Sequence, residues 1–107
     1  MITTFEVLAD SSRRQILDLL RPAELPVGGL VDAMVLSQPA VSKHLRVLRQ
    51  AGLVESRTDA QRRIYRVRAE PLQTVDEWLR PYRQMWASRL NALERQLEIM
   101  DDAEGWS

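Results

Sequence analysis

The segment 37–52 constrains the fold of this chain most, because helix start and stop signals bracket one amphipathic stretch. Ser37 is a good N-cap, and Pro39 falls in the first turn, where its missing N–H is not needed. Gly52 is placed to adopt the left-handed conformation that ends a helix. One apolar stripe runs between these signals, formed by Val41, Leu45 and Leu48. The segment is therefore predicted to be a helix that packs one face on a core.

The opposite face of this predicted helix is polar and cationic. It carries Gln38, Pro39, Ser42, Lys43, Arg46 and Arg49. Hydrogen-bonding and positively charged side chains beside a helix N-terminus, whose dipole favours phosphate, suit the groove of a nucleic acid. His44 lies beside Lys43 and is predicted to face the same partner, with a solvated helix position as the alternative.

Apolar spacing predicts two short helices at the start of the chain. The first holds Phe5 and stops near residues 10–12, whose side chains can cap the second helix. The second runs from about residue 13 to 21 and ends before Pro22. It is expected to bury Ile16, Leu17 and Leu20.

A third short helix is predicted after Pro26. It has apolar residues at the i, i+3, i+4 and i+7 positions of one helix face, namely Val27, Leu30, Val31 and Met34. The break at residues 35–37 separates it from the polar-faced helix. Two short helices in this arrangement are typical of a helix-turn-helix, which is predicted at residues 27–51.

Two strands are predicted after Gly52, at residues 53–58 and 63–68, with residues 59–62 joining them. The hairpin carries three arginines at or near its tip, Arg57, Arg62 and Arg63. A guanidinium stays charged and reaches with a planar fork, which suits a phosphate backbone or a narrow minor groove. A helix-turn-helix followed by such a hairpin is a winged helix, with residues 53–68 as the wing. The predicted fold class is therefore mainly α with a small β-hairpin.

The 107 residues carry no net charge, which by itself argues against a nucleic-acid binder. The charge is unevenly placed, however, because residues 37–68 hold eight basic and two acidic residues, a net +6. A local basic surface of this kind favours a polyanionic partner. The length fits one domain, residues 1–107, and no stretch resembles a membrane span or a signal peptide. A cytoplasmic protein without a membrane partner is expected.

Three separated motifs, in the same order along the chain, resemble those of the ArsR-type family of bacterial winged-helix repressors. They are residues 7–17, residues 36–48, and residues 51–54 with 62–67. The resemblance covers about residues 5–100 and implies a homodimer that binds double-stranded DNA at an inverted-repeat operator, often at its own promoter. Many members release DNA when a metal or another signal arrives. The stretch 70–86 is similar to a subset with one long C-terminal helix and no metal site.

The family's metal sites are not expected in this chain. The sequence has no cysteine, and His44 is its single histidine. A thiolate site and a multi-histidine site within one chain are therefore impossible. No cofactor, metal or catalytic residue is predicted, and the adjacent carboxylates of Asp76 and Glu77 do not face one site as an acid-base pair would. The chain is accordingly not expected to be an enzyme.

Two positions depart from the family's pattern. Val35 stands where the turn before the polar-faced helix often has glycine, and a β-branched residue resists positive φ. That turn must therefore be built differently or carry strain. The tip 59–62 also lacks glycine, which predicts a longer, mobile loop rather than a tight two-residue hairpin.

A nearly heptad apolar stripe occupies the predicted long C-terminal helix, residues 71–100. It consists of Leu72, Val75, Leu79, Tyr82, Trp86, Leu90, Leu93, Leu97 and Met100. Such a stripe needs a partner, and the expected cover is a second copy of the chain, together with the first helix in residues 1–10. The predicted dimer interface is Phe5, Leu79, Tyr82, Trp86, Leu90, Leu93 and Leu97. A core within one chain, or a ligand cavity lined by Trp78 and Trp86, are the alternatives. Residues 101–107 are predicted to form an acidic tail.

The predicted function is sequence-specific DNA binding by a homodimeric repressor. The residues expected at the DNA are Ser37, Gln38, Pro39, Ser42, Lys43, His44, Arg46, Arg49, Arg57, Arg62 and Arg63. A winged-helix module for protein assembly and a repressor gated by a non-metal effector are the alternatives. The basic middle third favours DNA over assembly, because a protein-interaction surface does not require a local charge of +6.

Overall fold

The computed structural model describes residues 2–103, and the side chains of residues 2–99. Within that range the chain forms five helices and three strands, which are α1 (Thr4–Leu8), α2 (Ser11–Leu20), β1 (Leu25–Pro26), α3 (Val27–Ala33), α4 (Gln38–Gln50), β2 (Val54–Asp59), β3 (Arg62–Val67) and α5 (Leu72–Ala103). They divide into two compact units, one up to Val75 and a second from Asp76 onward. The architecture confirms the predicted fold class, mainly α with a small β-hairpin and a long C-terminal helix, and adds a short third strand to the hairpin.

Asp10 caps α2, as its position in the sequence predicts. Its carboxylate accepts hydrogen bonds from the backbone N–H groups of Ser12 at 2.8 Å and Arg13 at 3.2 Å. These bonds satisfy two of the donors that the first turn of a helix leaves without a partner. The boundary between α1 and α2 is therefore fixed by one side chain.

Two arginines of α2 hold the end of α1. Arg13 donates from Nε to Val7 O at 2.8 Å and from Nη2 to Glu6 O at 3.3 Å. Arg14 donates from Nη1 to Leu8 O at 2.6 Å. A five-residue helix is not stable alone, and its last carbonyls have no partner within the helix. The order of α1 therefore rests on these two guanidinium groups together with the burial of Val7 in the core.

The turn between α3 and α4 is built without left-handed backbone at Val35. Met34 is extended, with φ −120° and ψ 157°, and Val35 projects fully into solvent at 101% exposure. Over residues 2–103, positive φ is confined to Gly52 and Ala60. Of the two outcomes predicted for this turn, a different construction is the one found, and strain is not.

α4 begins and ends where the sequence predicts. Ser37 Oγ accepts the N–H three residues further on, at 3.3 Å. At the other end Gly52 adopts φ 77°, its N–H donates to Arg49 O at 3.0 Å, and Leu53 N–H donates to Leu48 O at 2.9 Å. This pair of bonds is a Schellman motif. Since Leu48 and Leu53 are both fully buried, the end of α4 is also anchored in the core.

The wing belongs to a three-stranded antiparallel sheet in the order β1-β3-β2. Leu25 pairs with Tyr65 and Pro26 with Ile64, which adds a strand that the sequence pattern did not predict. β1 is only two residues long and ends in proline, so it has no alternating pattern to recognise.

The tip of the wing is a two-residue turn, so the predicted longer loop is wrong. Asp59 pairs with Arg62, which leaves Ala60 and Gln61 as the turn. Ala60 takes φ 58°, a conformation that usually selects glycine. Strand pairing that continues to the tip holds Ala60 there, against a local cost of about 1–2 kcal/mol.

One hydrophobic core joins the helices of the first unit to the sheet. Its buried members are Val7, Ile16, Leu17, Leu20, Leu30, Met34, Val41, Leu45, Leu48, Leu53, Val54 and Tyr65. The predicted stripes of α2 and α4 lie entirely within it. Because α4 fully buries only this stripe, its polar face is left outside the core.

The second unit consists of α5 from Asp76 onward. The helix continues through Pro81, which removes one backbone N–H from its hydrogen-bond ladder. Arg83 Nη1 donates to the Asp76 carboxylate at 2.7 Å. The rings of Trp78 and Tyr82 pack one turn apart, with centroids 5.0 Å from each other and an interplanar angle of 43°.

α5 extends to Ala103, beyond the predicted end at residue 100. The start of the predicted acidic tail is therefore helical, and residues 104–107 lie outside the described residues. Among residues 2–103, no helix is both long and apolar enough to cross a membrane.

Candidate nucleic-acid interface

The polar face of α4 is open to solvent. The exposed residues are Ser37 at its N-cap and Gln38, Pro39, Lys43, Arg46 and Arg49 along the helix. Ser42 is half-buried at the edge of this face. The helix thus combines a dry stripe on the core with a hydrogen-bonding, cationic surface, as its sequence predicts.

His44 lies on the flank of α4 away from Ser42. At 3.6 residues per turn the two positions are roughly 200° apart around the helix, and both are half-buried. The pKa of Asp10 lies below its ordinary value, chiefly because the carboxylate accepts the backbone N–H of Arg13, and attraction to His44 adds to this effect. His44 is thus placed towards α2 rather than at the centre of the polar face.

The wing has two chemically different faces, because residues that pair across antiparallel strands point to the same side. The inner face holds the pairs Ser56 with Tyr65 and Thr58 with Arg63. The outer face holds Glu55 with Arg66, Arg57 with Ile64, and Asp59 with Arg62. The arginines of the wing are therefore divided between two surfaces.

The inner face and α4 enclose a cleft of about 180 Å³, here called the α4–β3 cleft. It is lined by Ser42, Leu45, Arg46, Arg49, Arg63 and Tyr65. None of its three arginines pairs with a carboxylate in the part of the chain that the structure describes. The cleft is therefore an uncompensated positive surface next to the polar face of α4.

On the outer face of the wing, by contrast, the arginines lie next to carboxylates, and Arg62 Nη2 is 3.9 Å from Asp59 Oδ2. Arg57 donates to Glu24 Oε2 from Nε at 3.2 Å and from Nη2 at 3.0 Å. Arg66 forms an ion pair with Glu55, whose other carboxylate oxygen lies 3.8 Å from Arg68 Nε. Arg57, predicted at the DNA, is thus engaged by a carboxylate on the side of the hairpin away from α4.

A second cavity, of about 410 Å³, lies between the tip of the wing and the starts of α3 and α4. It is lined by Pro26, Val27, Gly28, Gln38, Gln61, Arg62 and Arg63. Three predicted DNA residues, Gln38, Arg62 and Arg63, come together here. Gln61 and Tyr65 were missed from sequence, although the two-residue period of a strand places Tyr65 on the side of Arg63.

The predicted dimer residues are mostly exposed in the single chain. Phe5, Tyr82, Trp86, Leu90, Leu93 and Leu97 are between 42% and 62% exposed, and Leu79 is half-buried. These six exposed side chains are not core residues of their own chain. We call the five on α5, from Tyr82 to Leu97, the α5 seam.

No group of three or more His, Cys, Asp or Glu side chains that could hold a metal comes together among the residues described. The absence of cysteine from the sequence removes thiolate ligands altogether.

A helix-turn-helix with a polar second helix, followed by a wing with a cationic inner face, defines a winged-helix DNA-binding transcription regulator. A family model described as "Bacterial regulatory protein, arsR family" matches residues 10–56. The chain belongs to the ArsR family, and its relatives are regulators of transcription rather than enzymes.

Two relatives and one solved structure show the extent of the likeness. The chain is 30% identical over 79 residues to the transcriptional repressor SdpR of Bacillus subtilis. The aligned residues make up 74% of this chain and 88% of that protein. The chain is also 37% identical over 78 residues to the transcriptional activator HlyU of Vibrio cholerae, in an alignment that covers 73% of this chain and 72% of that protein. The crystal structure of a possible transcriptional regulator for arsenical resistance superposes with a TM-score of 0.69 at 32% identity, over 90% of this chain and 97% of the other.

Proposed function

We propose that this protein is a homodimeric repressor that binds an inverted-repeat operator in double-stranded DNA. The α4–β3 cleft carries the proposal, because three arginines without carboxylate partners stand beside the polar face of α4. The likeness to a protein named as a transcriptional repressor supports the direction of control. The protein would act in the cytoplasm, where bacterial DNA lies, and its own promoter is the first target to test.

Within this proposal α4 reads bases and the wing holds the backbone. Gln38, Ser42 and Lys43 lie in the N-terminal half of α4, where side chains of a recognition helix reach base edges. Arg62 and Arg63 belong to the wing and meet phosphate or the minor groove. Ser37 and Pro39 shape the entry of α4 into the groove, and Arg46 and Arg49 face the backbone.

The dimer part of the proposal rests on the α5 seam. Five large apolar side chains at nearly heptad spacing are exposed over four turns of one helix, a pattern that a second copy can bury. A two-fold dimer presents two recognition helices, which match the two halves of an inverted repeat.

The proposal is tested by capturing genomic fragments with the purified protein and sequencing them. Binding of the captured site and of a scrambled duplex is then measured by fluorescence anisotropy over a series of salt concentrations. We expect tighter binding to the captured site, with affinity falling steeply as salt rises. Equal affinity for both duplexes would contradict the proposal and favour the protein-assembly module.

Base-reading and backbone-holding residues should fail differently in this assay. Gln38→Ala should cost about 1–3 kcal/mol per lost base contact on the captured site and little on the scrambled duplex. Arg62→Ala should weaken both and flatten the salt dependence by about one counterion per lost phosphate contact. Identical effects of the two substitutions on both duplexes would refute this division of roles.

The direction of control is a separate question, because one relative is named an activator. A promoter that contains the captured site, fused to a reporter, should be more active in cells that lack the protein. A reporter that falls silent without the protein would show activation instead.

Zinc and cadmium should leave operator affinity unchanged, because the sequence holds no cysteine and one histidine.

A further inference from the structure

The α4–β3 cleft concentrates positive charge without a counter-charge of its own. Arg46 and Arg49 lie one turn apart on α4, and Arg63 reaches the same cleft from β3. All three residues are exposed, and no acidic residue lines the cleft. Three cations around one space repel each other, so the arrangement is stabilised when an anion occupies the cleft.

Hydroxyl groups complete the lining of the α4–β3 cleft. The Tyr65 side chain is mostly buried, at 8% exposure, and its hydroxyl has no hydrogen-bond partner among the described residues. In that part of the chain, every fully buried side-chain oxygen or nitrogen has a hydrogen-bond partner. Because the Tyr65 hydroxyl has none, it is not fully buried and is accessible to a group that enters the cleft. Ser42 adds a second hydroxyl from α4. Guanidinium groups and hydroxyl donors are among the groups that bind phosphate oxygens in proteins.

We propose that the α4–β3 cleft binds a single backbone phosphate of the DNA in each half-site. This inference rests on the proposed function and names the one phosphodiester that sets the register of α4 in the groove. Arg63 and Arg46 grip the phosphate from the strand and from the helix, and Tyr65 donates a hydrogen bond to it. Tyr65 thus becomes a DNA-positioning residue, although it lies in the core. A free phosphate ion has the same chemistry, and the experiment separates the two sources.

The outer face of the wing provides the matched contrast. Arg66 is next to Tyr65 in the sequence but on the other face, where it pairs with Glu55. It has the same charge, lies on the same strand, and is exposed to a similar degree. An effect confined to Arg63 and absent from Arg66 therefore reports on the α4–β3 cleft and not on total charge.

The experiment replaces one phosphate at a time in the captured duplex by an uncharged methylphosphonate. Wild-type protein should lose about tenfold in affinity at one position in each half-site, a typical loss for a charged hydrogen bond. Arg63→Gln should bind the unmodified duplex more weakly than wild type. A methylphosphonate at that position should then lower its affinity no further, whereas methylphosphonates at other contacted positions should lower its affinity as they lower that of wild type. Tyr65→Phe should show part of this loss of sensitivity, and Arg66→Gln should respond to every methylphosphonate as wild type does. Thermal unfolding in chloride buffer checks that each variant is folded.

Each other outcome overturns the inference. If Arg63→Gln keeps the wild-type sensitivity at every phosphate, the cleft does not bind the backbone, although the protein still binds DNA. If Arg66→Gln loses the same sensitivity as Arg63→Gln, the effect is one of total charge. If no methylphosphonate matters, but inorganic phosphate at constant ionic strength raises the unfolding temperature of wild type and not of Arg63→Gln, the cleft binds free phosphate instead. A wild-type protein that binds no duplex at all refutes the proposed function itself.

Discussion

Ala60 adopts a backbone conformation that its side chain does not favour. Its φ of 58° follows from the pairing of Asp59 with Arg62, because a two-residue connection between paired strands needs a left-handed residue. From sequence alone, the missing glycine predicts a longer loop. Strand pairing over six residue pairs outweighs one unfavourable residue, and that balance is not visible in the four residues of the tip.

Ala60→Gly should stabilise the protein. The substitution removes a left-handed strain of about 1–2 kcal/mol and costs about 0.5–1 kcal/mol because the unfolded chain gains entropy, so a net gain of up to about 1.5 kcal/mol is expected. Urea unfolding followed by circular dichroism measures it. Ala87→Gly is the control and should destabilise the protein, because Ala87 lies in the interior of α5. A loss of stability in Ala60→Gly would show that the alanine side chain makes a contact worth more than the strain.

Asp10 should contribute a pH-dependent part of the stability. Hydrogen bonds from backbone N–H groups lower its pKa in the folded protein, so its contribution is complete above the pKa of the unfolded chain and is lost as the pH falls through the folded pKa. Asp10→Ala should cost about 1 kcal/mol at pH 7 and progressively less below about pH 4. Asp10→Asn keeps the cap without a titrating group. An Asp10→Ala penalty that is the same at pH 7 and pH 3.5, in urea unfolding, would contradict this assignment.

At the scale of elements, the sequence predicts the helices and the hairpin, but it does not predict the two-residue strand β1. Cap residues and apolar periods are local, so α2 and α4 follow from Asp10, Ser37 and Gly52 with their stripes, and α3 follows from its stripe alone. β1 exists only because Leu25 and Pro26 meet β3, which lies about 40 residues away in the sequence. The candidate site shows the same limit. The polar face of α4 can be predicted from the helical period of its sequence, whereas the cleft between α4 and β3 depends on the register in which the strands pair.

The pairing of Arg57 with Glu24 is one consequence that only the tertiary structure reveals. Residues 33 positions apart meet on the outer face of the wing, where the ion pair reduces the charge available to DNA. Exposed pairs of this kind contribute little to stability, typically less than about 1 kcal/mol. Their effect on non-specific binding to a polyanion is expected to be larger than their effect on folding.

Glu24→Gln should therefore raise affinity for a scrambled duplex by about two- to fivefold at low salt, because Arg57 becomes free to meet phosphate. Fluorescence anisotropy over a salt series measures the gain, which should vanish at high salt. Asp18→Asn removes the same charge from an exposed position of α2 and serves as the control. The gain should also disappear in the Arg57→Gln background. An equal gain in Asp18→Asn would show that only net charge matters.

At the scale of the whole molecule, the α5 seam sets the expected oligomeric state. Leu93→Glu places a charge where a second copy would bury an apolar side chain, which should weaken dimerisation by more than about tenfold. Asn91→Glu adds the same charge roughly 200° away around the helix and should leave the dimer intact. Sedimentation velocity at micromolar concentration measures both. A wild-type chain that sediments as a monomer would remove the dimer proposal.

The attachment of α1 has a thermodynamic consequence for association. α1 carries the exposed Phe5 of the predicted interface, and its order depends in part on the hydrogen bonds that Arg13 and Arg14 donate to its last carbonyls. Docking of α1 and binding of a second subunit are then coupled equilibria, since a partner that buries Phe5 selects the docked form. Loss of either guanidinium would lower the affinity between subunits without removing any contact between them, because part of the association energy would go into ordering five residues first.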